Sequence, residues 1–146
     1  MKKIKFLLLM AMVMVMSLNA MADDDDRVIT YDQMPQTAQT FLKQNFGKKV
    51  PLVVTADWDD YTIRYESGEK VEFDKKGNWK EVECYASKVP EAIIPDQIKA
   101  YVKKNYAGKS VIKIERRRMG YEVKLNNGMD IEFNRNFKVI DTDYDD

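Results

Sequence analysis

The 146-residue sequence contains no histidine, and this absence removes several classes of enzyme from consideration. Catalytic triads of the Ser-His-Asp or Cys-His kind need an imidazole base, and the common zinc sites use imidazole ligands. Imidazole is also the side chain whose ordinary pKa suits proton transfer near neutral pH. Glycine-rich phosphate loops and dinucleotide-binding fingerprints are missing from the sequence as well. We therefore predict that the protein is not an enzyme and that it uses no cofactor and no catalytic residue.

Cysteine is nearly as scarce, because Cys84 is the only one. A single cysteine cannot form an internal disulfide, although exported proteins commonly carry paired cysteines. Cys84 also lies far from the N-terminus, which excludes the modified cysteine that follows the leader of a bacterial lipoprotein. We interpret Cys84 as a small buried apolar side chain in a strand rather than as a reactive thiol.

Long apolar runs are confined to the N-terminus, where a charge-free run from Phe6 to Leu18 follows three lysines and precedes small residues. This order is typical of a secretory signal peptide, and the run is shorter than the roughly 20 residues that a membrane-spanning helix needs. We predict a leader over residues 1–22 and a mature chain of residues 23–146. The mature chain is expected in the periplasm or outside the cell, without a membrane anchor.

Neither sign of charge dominates the mature chain. The leader contains three of the 24 basic residues and none of the 24 acidic ones, so the mature chain carries 21 positive and 24 negative charges, a net of −3. One basic cluster, the three arginines at 116–118, stands in this balanced background. Nucleic-acid binding proteins usually show a basic stripe, so we predict no nucleic-acid partner.

Two segments of the mature chain align with an offset of 60 residues, which indicates an internal repeat. Each copy begins with an amphipathic segment after a proline, Pro35 or Pro95, which predicts a helix. Alternating apolar and polar residues then predict antiparallel strands. The sequence therefore predicts an α+β fold of two tandem helix-plus-strand repeats, about 28–85 and 89–142, with the helices packed on one side of the sheet. The two repeats are expected to form a single domain.

The second central hairpin illustrates how the register follows from the sequence. A three-residue loop ending at Gly128 pairs Val123 with Ile131 and Tyr121 with Phe133, so that apolar residues share one face. A two-residue loop would instead mix core and solvent positions. The same choice of loop suits the first hairpin, where Gly68 takes the position of Gly128.

The paired helix starts Met34-Pro35 and Ile94-Pro95, the Asn-aromatic pairs at 45–46 and 105–106, and the central hairpins resemble the PepSY-like family, which is grouped with the β-lactamase inhibitory protein fold. The resemblance covers about 28–141. It implies helices on one side of a twisted sheet whose other side can cradle a protein. The inhibitors are stapled by disulfides that this chain cannot form, so β-lactamase inhibition is not carried over.

The leading hypothesis is an exported, inhibitor-like module that binds another envelope or secreted protein through the helix-free sheet face and nearby loops. Trp58, Arg64, Arg117 and Lys124 are the predicted binding residues, because Trp and Arg often anchor protein interfaces.

Two other hypotheses rest on carboxylates. The first is a calcium or small-ligand binder in the cell envelope that uses carboxylates of the sheet and the acidic ends of the mature chain, 23–26 and 141–146. The alternate acids of 141–146 resemble a calcium loop but lack its turn glycine and closing glutamate, and both ends are also explained as solvated termini. The second is a hydrolase that uses the matching acids Glu72 and Glu132. No metal ligand is assigned.

Overall fold

The computed structural model describes residues 26–144. Hydrogen bonding joins their strands into one sheet, in which the order of the strands follows the chain. The strands are β1 Arg27–Ile29, β2 Pro51–Ala56, β3 Asp60–Tyr65, β4 Lys70–Asp74, β5 Trp79–Glu83, β6 Val111–Arg117, β7 Gly120–Leu125, β8 Met129–Asn134 and β9 Val139–Tyr144. The α-helices are α1 Gln36–Phe46 and α2 Asp96–Asn105, and each follows a short 3-10 helix, Tyr31–Gln33 or Glu91–Ile93. The predicted leader, 1–22, lies outside the described residues.

The predicted α+β fold of two tandem helix-plus-strand repeats, 28–85 and 89–142, is wrong. The structure is mostly β, a nine-stranded antiparallel sheet accompanied by only two short α-helices within the described residues. The pairing of β5 with β6, which sets Glu81 opposite Glu115, continues the ladder where the prediction ended one repeat and began the next. An open strand edge exposes unpaired backbone N–H and C=O groups, and β6 satisfies those of β5.

Two compact units divide the described residues. The first contains residues 26–67 together with Glu72–Asn78, and the second contains Gly68–Val71 together with residues 79–144. Neither α1 nor α2, the two α-helices of residues 26–144, is long and apolar enough to cross a membrane. The expectation that 23–146 forms a single domain stays a prediction.

In the first unit, the apolar face of α1 packs against the strands. Its buried side chains recur every fourth residue, as the sequence pattern predicts for one face of a helix. They are Ala38, Leu42 and Phe46. Phe46 stacks on Tyr65 of β3 with 5.6 Å between ring centroids, and Phe41 meets Phe73 of β4 edge to face at 5.7 Å. These ring contacts fix the side of the strands on which α1 lies.

In the second unit, α2 covers the apolar face of the strands in the same manner. Ile98 and Val102 of α2 are buried, and Tyr101 meets Phe133 of β8 edge to face at 5.4 Å. Along β7 and β8 the buried residues alternate with half-buried charged ones. The apolar side chains therefore point toward α2, and the charged ones point to the opposite face.

The register predicted for the β7–β8 hairpin is confirmed. Tyr121 lies opposite Phe133 and Val123 lies opposite Ile131. Gly128 has a φ of +87°, and its N–H donates to the carbonyl of Leu125 at 3.0 Å. Glycine is the residue that adopts this conformation without steric strain, so the sequence specifies the turn locally.

The burial predicted for Cys84 is confirmed, although the residue lies directly after β5, which ends at Glu83, and not within a strand. Cys84 is 1% exposed, and it forms no disulfide within the described residues. Its backbone N–H donates to the carbonyl of Ile112 at 2.7 Å, next to the paired part of β5 and β6. Cys84 therefore belongs to the core of the second unit.

Candidate functional site on the polar face of the second unit

A row of acidic side chains crosses the polar face of the second unit from β5 to β9. Directly opposed residues of antiparallel strands point to the same face, with Cβ atoms about 5 Å apart. The register sets Glu81 opposite Glu115, Glu115 opposite Glu122, Glu122 opposite Glu132, and Glu132 opposite Asp141. We call these five side chains the acidic row. Like charges in directly opposed positions repel each other, so this row is unfavourable unless cations compensate it.

A second row, one pleat away, mixes both signs of charge. It runs from Glu83 through Lys113, Lys124 and Asp130 to Asp143. We call it the mixed row. With Lys70 of β4 and Arg117 of β6 added, the two rows bring together eight carboxylates and four cations, which leaves an excess of four negative charges.

Arg117 is the cation that lies among the middle members of the acidic row. Its guanidinium pairs closely with Glu122, and lies 3.7 Å from the carboxylate of Glu115 and 3.8 Å from that of Glu132. A guanidinium has five N–H donors, so one arginine can serve several carboxylates at once. One positive charge against three carboxylates nevertheless leaves this stretch negative.

Two lysines compensate the β5 end of the rows. The Nζ of Lys113 lies 3.0 Å from the carboxylate of Glu81 and 3.9 Å from that of Glu83. The Nζ of Lys70 lies 3.5 Å from Glu83 and 4.0 Å from Glu81. These four side chains are between 14% and 26% exposed, so their charges are only partly screened by water. The β5 end is therefore close to neutral.

Two carboxyl groups on this face, those of Glu122 and Glu83, have raised pKa values. Burial raises the pKa of Glu122, Arg117 lowers it, and the nearby carboxylates of Glu115 and Asp130 add to the rise. Burial is likewise the largest cause that raises the pKa of Glu83, helped by a hydrogen bond with Glu81 and opposed by the neighbouring lysines. The charged forms are thus held at a free-energy cost, which an additional cation would reduce.

The β9 end of the face is the least compensated part. Within residues 26–144, Asp141 and Asp143 of β9 form no ion pair, whereas Asp130 of β8 lies 3.9 Å from Lys124. A shallow depression of about 160 Å³ is lined only by acids. They are Glu122, Asp130, Glu132, Asp141 and Asp143. No three acidic side chains of the described chain are grouped closely enough to hold a metal ion, so the depression is acidic without being a formed metal site.

The four predicted binding residues lie in both units. Arg117 and Lys124 lie on the polar face of the second unit, in contact with the acids described above. Arg64 is exposed on β3 of the first unit, and Trp58, in the turn between β2 and β3, is 75% exposed. Their binding role stays a prediction, and so does that of the candidate hydrolase pair.

The acidic row was missed by the sequence analysis. Its β7–β8 part, Glu122 opposite Glu132, follows directly from the correctly predicted hairpin register. Its β5–β6 part could not be found, because Glu81 and Glu115 are 34 residues apart and no local turn sets their register.

Comparison with known protein families gives two overlapping matches. A family model described as β-lactamase-inhibitor-like and PepSY-like matches residues 21–68 and 59–141. No curated protein sequence matches the chain.

Solved structures provide close relatives over most of the chain. A Bacteroides thetaiotaomicron protein, provisionally described as a calcium-regulated periplasmic protein, is 46% identical in sequence and has a TM-score of 0.80. The aligned region covers 82% of this chain and 98% of that protein's chain. A periplasmic protein of Bacteroides vulgatus is 48% identical with a TM-score of 0.79, covering 84% and 99%. Another from the same species, of unknown function, is 30% identical with a TM-score of 0.77, covering 81% and 98%. The periplasmic location expected from the sequence is confirmed by these relatives.

Proposed function

Since the chain belongs to the PepSY-like, β-lactamase-inhibitor-like family, we propose that it is a non-catalytic periplasmic module that binds another envelope or secreted protein. The polar face of the second unit is the proposed binding surface. The partner is a protein whose contacting surface is rich in arginine and lysine. The histidine-free sequence and the description of the family support a binding role over a catalytic one.

The single observation that carries the proposal is the acidic row. Five carboxylates lie directly opposite one another across five strands, and compensation weakens from the lysines near Glu81 to Asp141, which has no ion pair within residues 26–144. Hydrogen-bonded strands hold the backbone positions of these acids at fixed spacings, so the backbone needs no reorganisation when a partner arrives.

A basic partner suits this arrangement better than an apolar one. Arginine and lysine side chains placed between the carboxylates would relieve the repulsion along the row and form charge-assisted hydrogen bonds. Complementary charge also speeds association and excludes partners with acidic surfaces. Weakening of the complex by salt is therefore expected, because partly exposed ion pairs are screened.

The test is affinity capture with immobilised mature protein, 23–146, in periplasmic and secreted fractions at low and high salt. A variant carrying Glu115→Gln, Glu132→Gln and Asp141→Asn removes three charges of the acidic row and keeps the side-chain shapes. A matched control carries Glu66→Gln, Glu91→Gln and Asp96→Asn, three exposed acids outside the two rows.

A captured protein that is held by the native form and the control, and lost by the acidic-row variant, would then be purified and its affinity measured directly. Trp58→Ala and Arg64→Glu, tested in the same way, show whether the first unit contributes. A partner that all these variants retain equally, or one whose binding is insensitive to salt, contradicts the proposal.

A second candidate function is calcium binding, and the relative described as calcium-regulated favours it. The acid-lined depression at β8 and β9 is the natural position for a divalent cation, although its carboxylates would have to draw together to coordinate one. A ligand that binds only the folded state raises the free energy of unfolding by about 2.7 kcal/mol when its free concentration is 100-fold above its Kd. An unchanged melting temperature in millimolar calcium would remove this candidate; a rise with calcium, absent with magnesium and lost in Asp141→Asn/Asp143→Asn, would support it.

A further inference from the structure

Four arginines surround a second depression, at the end of the second unit's strands where β6 turns into β7 and β8 turns into β9. Its volume is about 250 Å³ and no acidic residue lines it. The lining residues are Arg116, Arg117, Arg118, Gly120, Tyr121, Arg135 and Phe137. We call this depression the arginine cradle. It contrasts with the acid-lined depression of the same unit and with the slightly negative charge of the mature chain.

Three of the four guanidinium groups are not committed to a carboxylate. Arg117 is held by the acidic row, as described above. Within residues 26–144, Arg116, Arg118 and Arg135 form no ion pair. Gathering three such cations in a small space is unfavourable unless an anion neutralises them.

The backbone of the cradle is held rigidly by the two turns that form it. The Nε of Arg135 donates to the carbonyl of Arg118 at 3.0 Å and ties one turn to the other. The Oδ1 of Asn134 accepts hydrogen bonds from the backbone N–H groups of Asn136 at 2.9 Å and Lys138 at 3.0 Å. The backbone of the two turns and the side chain of Arg135 are thus positioned before any ligand arrives, which reduces the entropy lost on binding.

One aromatic ring orients Arg116, and two others provide an apolar wall. The guanidinium carbon of Arg116 lies 4.0 Å from the ring centroid of Trp79, so this guanidinium is held over the ring. Phe137 stacks on Tyr121 with 5.6 Å between ring centroids. Phe137 has a φ of +62° and is the only non-glycine residue with positive φ in the described part of the chain. Strained backbone of this kind concentrates at functional sites, because the surrounding structure must enforce it.

We propose that the arginine cradle binds a phosphate monoester group carried on an apolar or aromatic molecule. The guanidinium fork matches phosphate oxygens in pairs, which an ammonium cannot do, and a dianion balances the charge of the free arginines better than a single carboxylate. The stacked pair Phe137 and Tyr121 packs against the group that carries the phosphate. The volume suits a phosphate with one small ring, or the phosphorylated end of a larger molecule. This site is distinct from the acidic row, because Arg117 is the one lining residue of the cradle that pairs with the row within residues 26–144.

The test titrates phenyl phosphate, inorganic phosphate and phenol into the mature protein by calorimetry, with melting temperature as a second readout. Native protein is expected to bind phenyl phosphate more tightly than inorganic phosphate, and phenol not measurably. Arg118→Gln and Arg116→Gln are each expected to weaken binding on the order of tenfold. Arg118→Lys keeps the charge and loses the fork, so it should weaken binding nearly as much.

Lys75→Gln is the matched control. Lys75 occupies a similar turn of the first unit, where its Nζ contacts the carbonyl of Asp57 at 2.6 Å and lies 4.8 Å from the ring centroid of Tyr61. The control should bind phenyl phosphate like the native protein. Absence of binding at millimolar phenyl phosphate, equal affinity in the arginine variants, or equal loss in the control would each overturn the proposal. Equal affinity for inorganic and phenyl phosphate would overturn the role of the aromatic wall.

Discussion

Replacing Gly120 by alanine should destabilise the protein far more than replacing Gly68 by alanine, although both glycines have positive φ. Gly120 begins β7 and has a φ of +149°, whereas Gly68 lies in the turn before β4 and has a φ of +101°. A Cβ added to Gly120 would lie 1.9 Å from the carbonyl oxygen of Phe133 and 2.8 Å from backbone atoms of Asn134. A Cβ added to Gly68 would have no atom within 4 Å.

The magnitude of the difference follows from these contacts. Positive φ costs an alanine about 1–2 kcal/mol, and this applies to both sites. At Gly120 the carbonyl of Phe133 belongs to the adjacent strand and cannot rotate away, so β7 and β8 must separate locally. Losing one or two ladder hydrogen bonds and part of the packing around Phe133 adds about 2–3 kcal/mol. We therefore expect a loss of about 3–5 kcal/mol for Gly120→Ala and about 1–2 kcal/mol for Gly68→Ala.

Equilibrium urea unfolding of residues 23–146, followed by far-ultraviolet circular dichroism, measures both free energies of unfolding. The free energy of unfolding should fall with urea concentration at the same slope in the two variants and in the native protein, so the transition midpoints compare their stabilities directly. Similar losses in the two variants would refute the argument that the close approach of β7 to β8 dominates at Gly120.

Three further outcomes are expected. Glu83→Gln should stabilise the protein at neutral pH, because the pKa of Glu83 is raised in the folded state and its charged form is disfavoured there. The native protein therefore loses stability as the pH rises above about 4.5 toward the raised pKa. The stability advantage of the variant should vanish at pH 4, and an advantage that stays constant with pH would contradict the argument. Phe133→Ala should cost about 3–5 kcal/mol in urea unfolding, since the ring is 1% exposed and contacts Tyr101, and a loss below about 1 kcal/mol would mean that the core is looser than described. Cys84 should react with a bulky thiol reagent only as fast as the protein opens, which mass spectrometry follows over time; rapid labelling under native conditions would contradict its burial.

The buried face of α1 and the register of the β7–β8 hairpin were predictable, because each depends on residues that are close together in the sequence. The buried face of α1 follows from the spacing of Ala38 and Leu42, and the β7–β8 register follows from a turn at Gly128 with apolar residues on both sides. Both depend on residues within one helix or one hairpin, where the periodicity of side chains is sufficient.

The fold as a whole and the acidic row were not predictable in this way. Both depend on the pairing of β5 with β6, and Glu83 and its partner Lys113 are separated by a connection that contains α2. Pairing over such a distance is decided by the satisfaction of a strand edge and by the shared core, which no local pattern encodes. The arginine cradle lies between these cases: three of its arginines are adjacent in sequence, but Arg135 joins them only through the β8–β9 turn.

The chain-ordered arrangement of the strands has a consequence for how the protein folds. Most strands pair with a neighbour that is joined to them by a short turn, so their hairpins can form quickly and independently. Two pairs of neighbouring strands are joined by longer connections, because α1 lies between β1 and β2 and α2 lies between β5 and β6. Each of these pairings loses more chain entropy, because a longer loop must close before its hydrogen bonds form. The amides of β5 that bond to β6 should therefore gain protection from hydrogen exchange later during refolding than those of the β7–β8 hairpin.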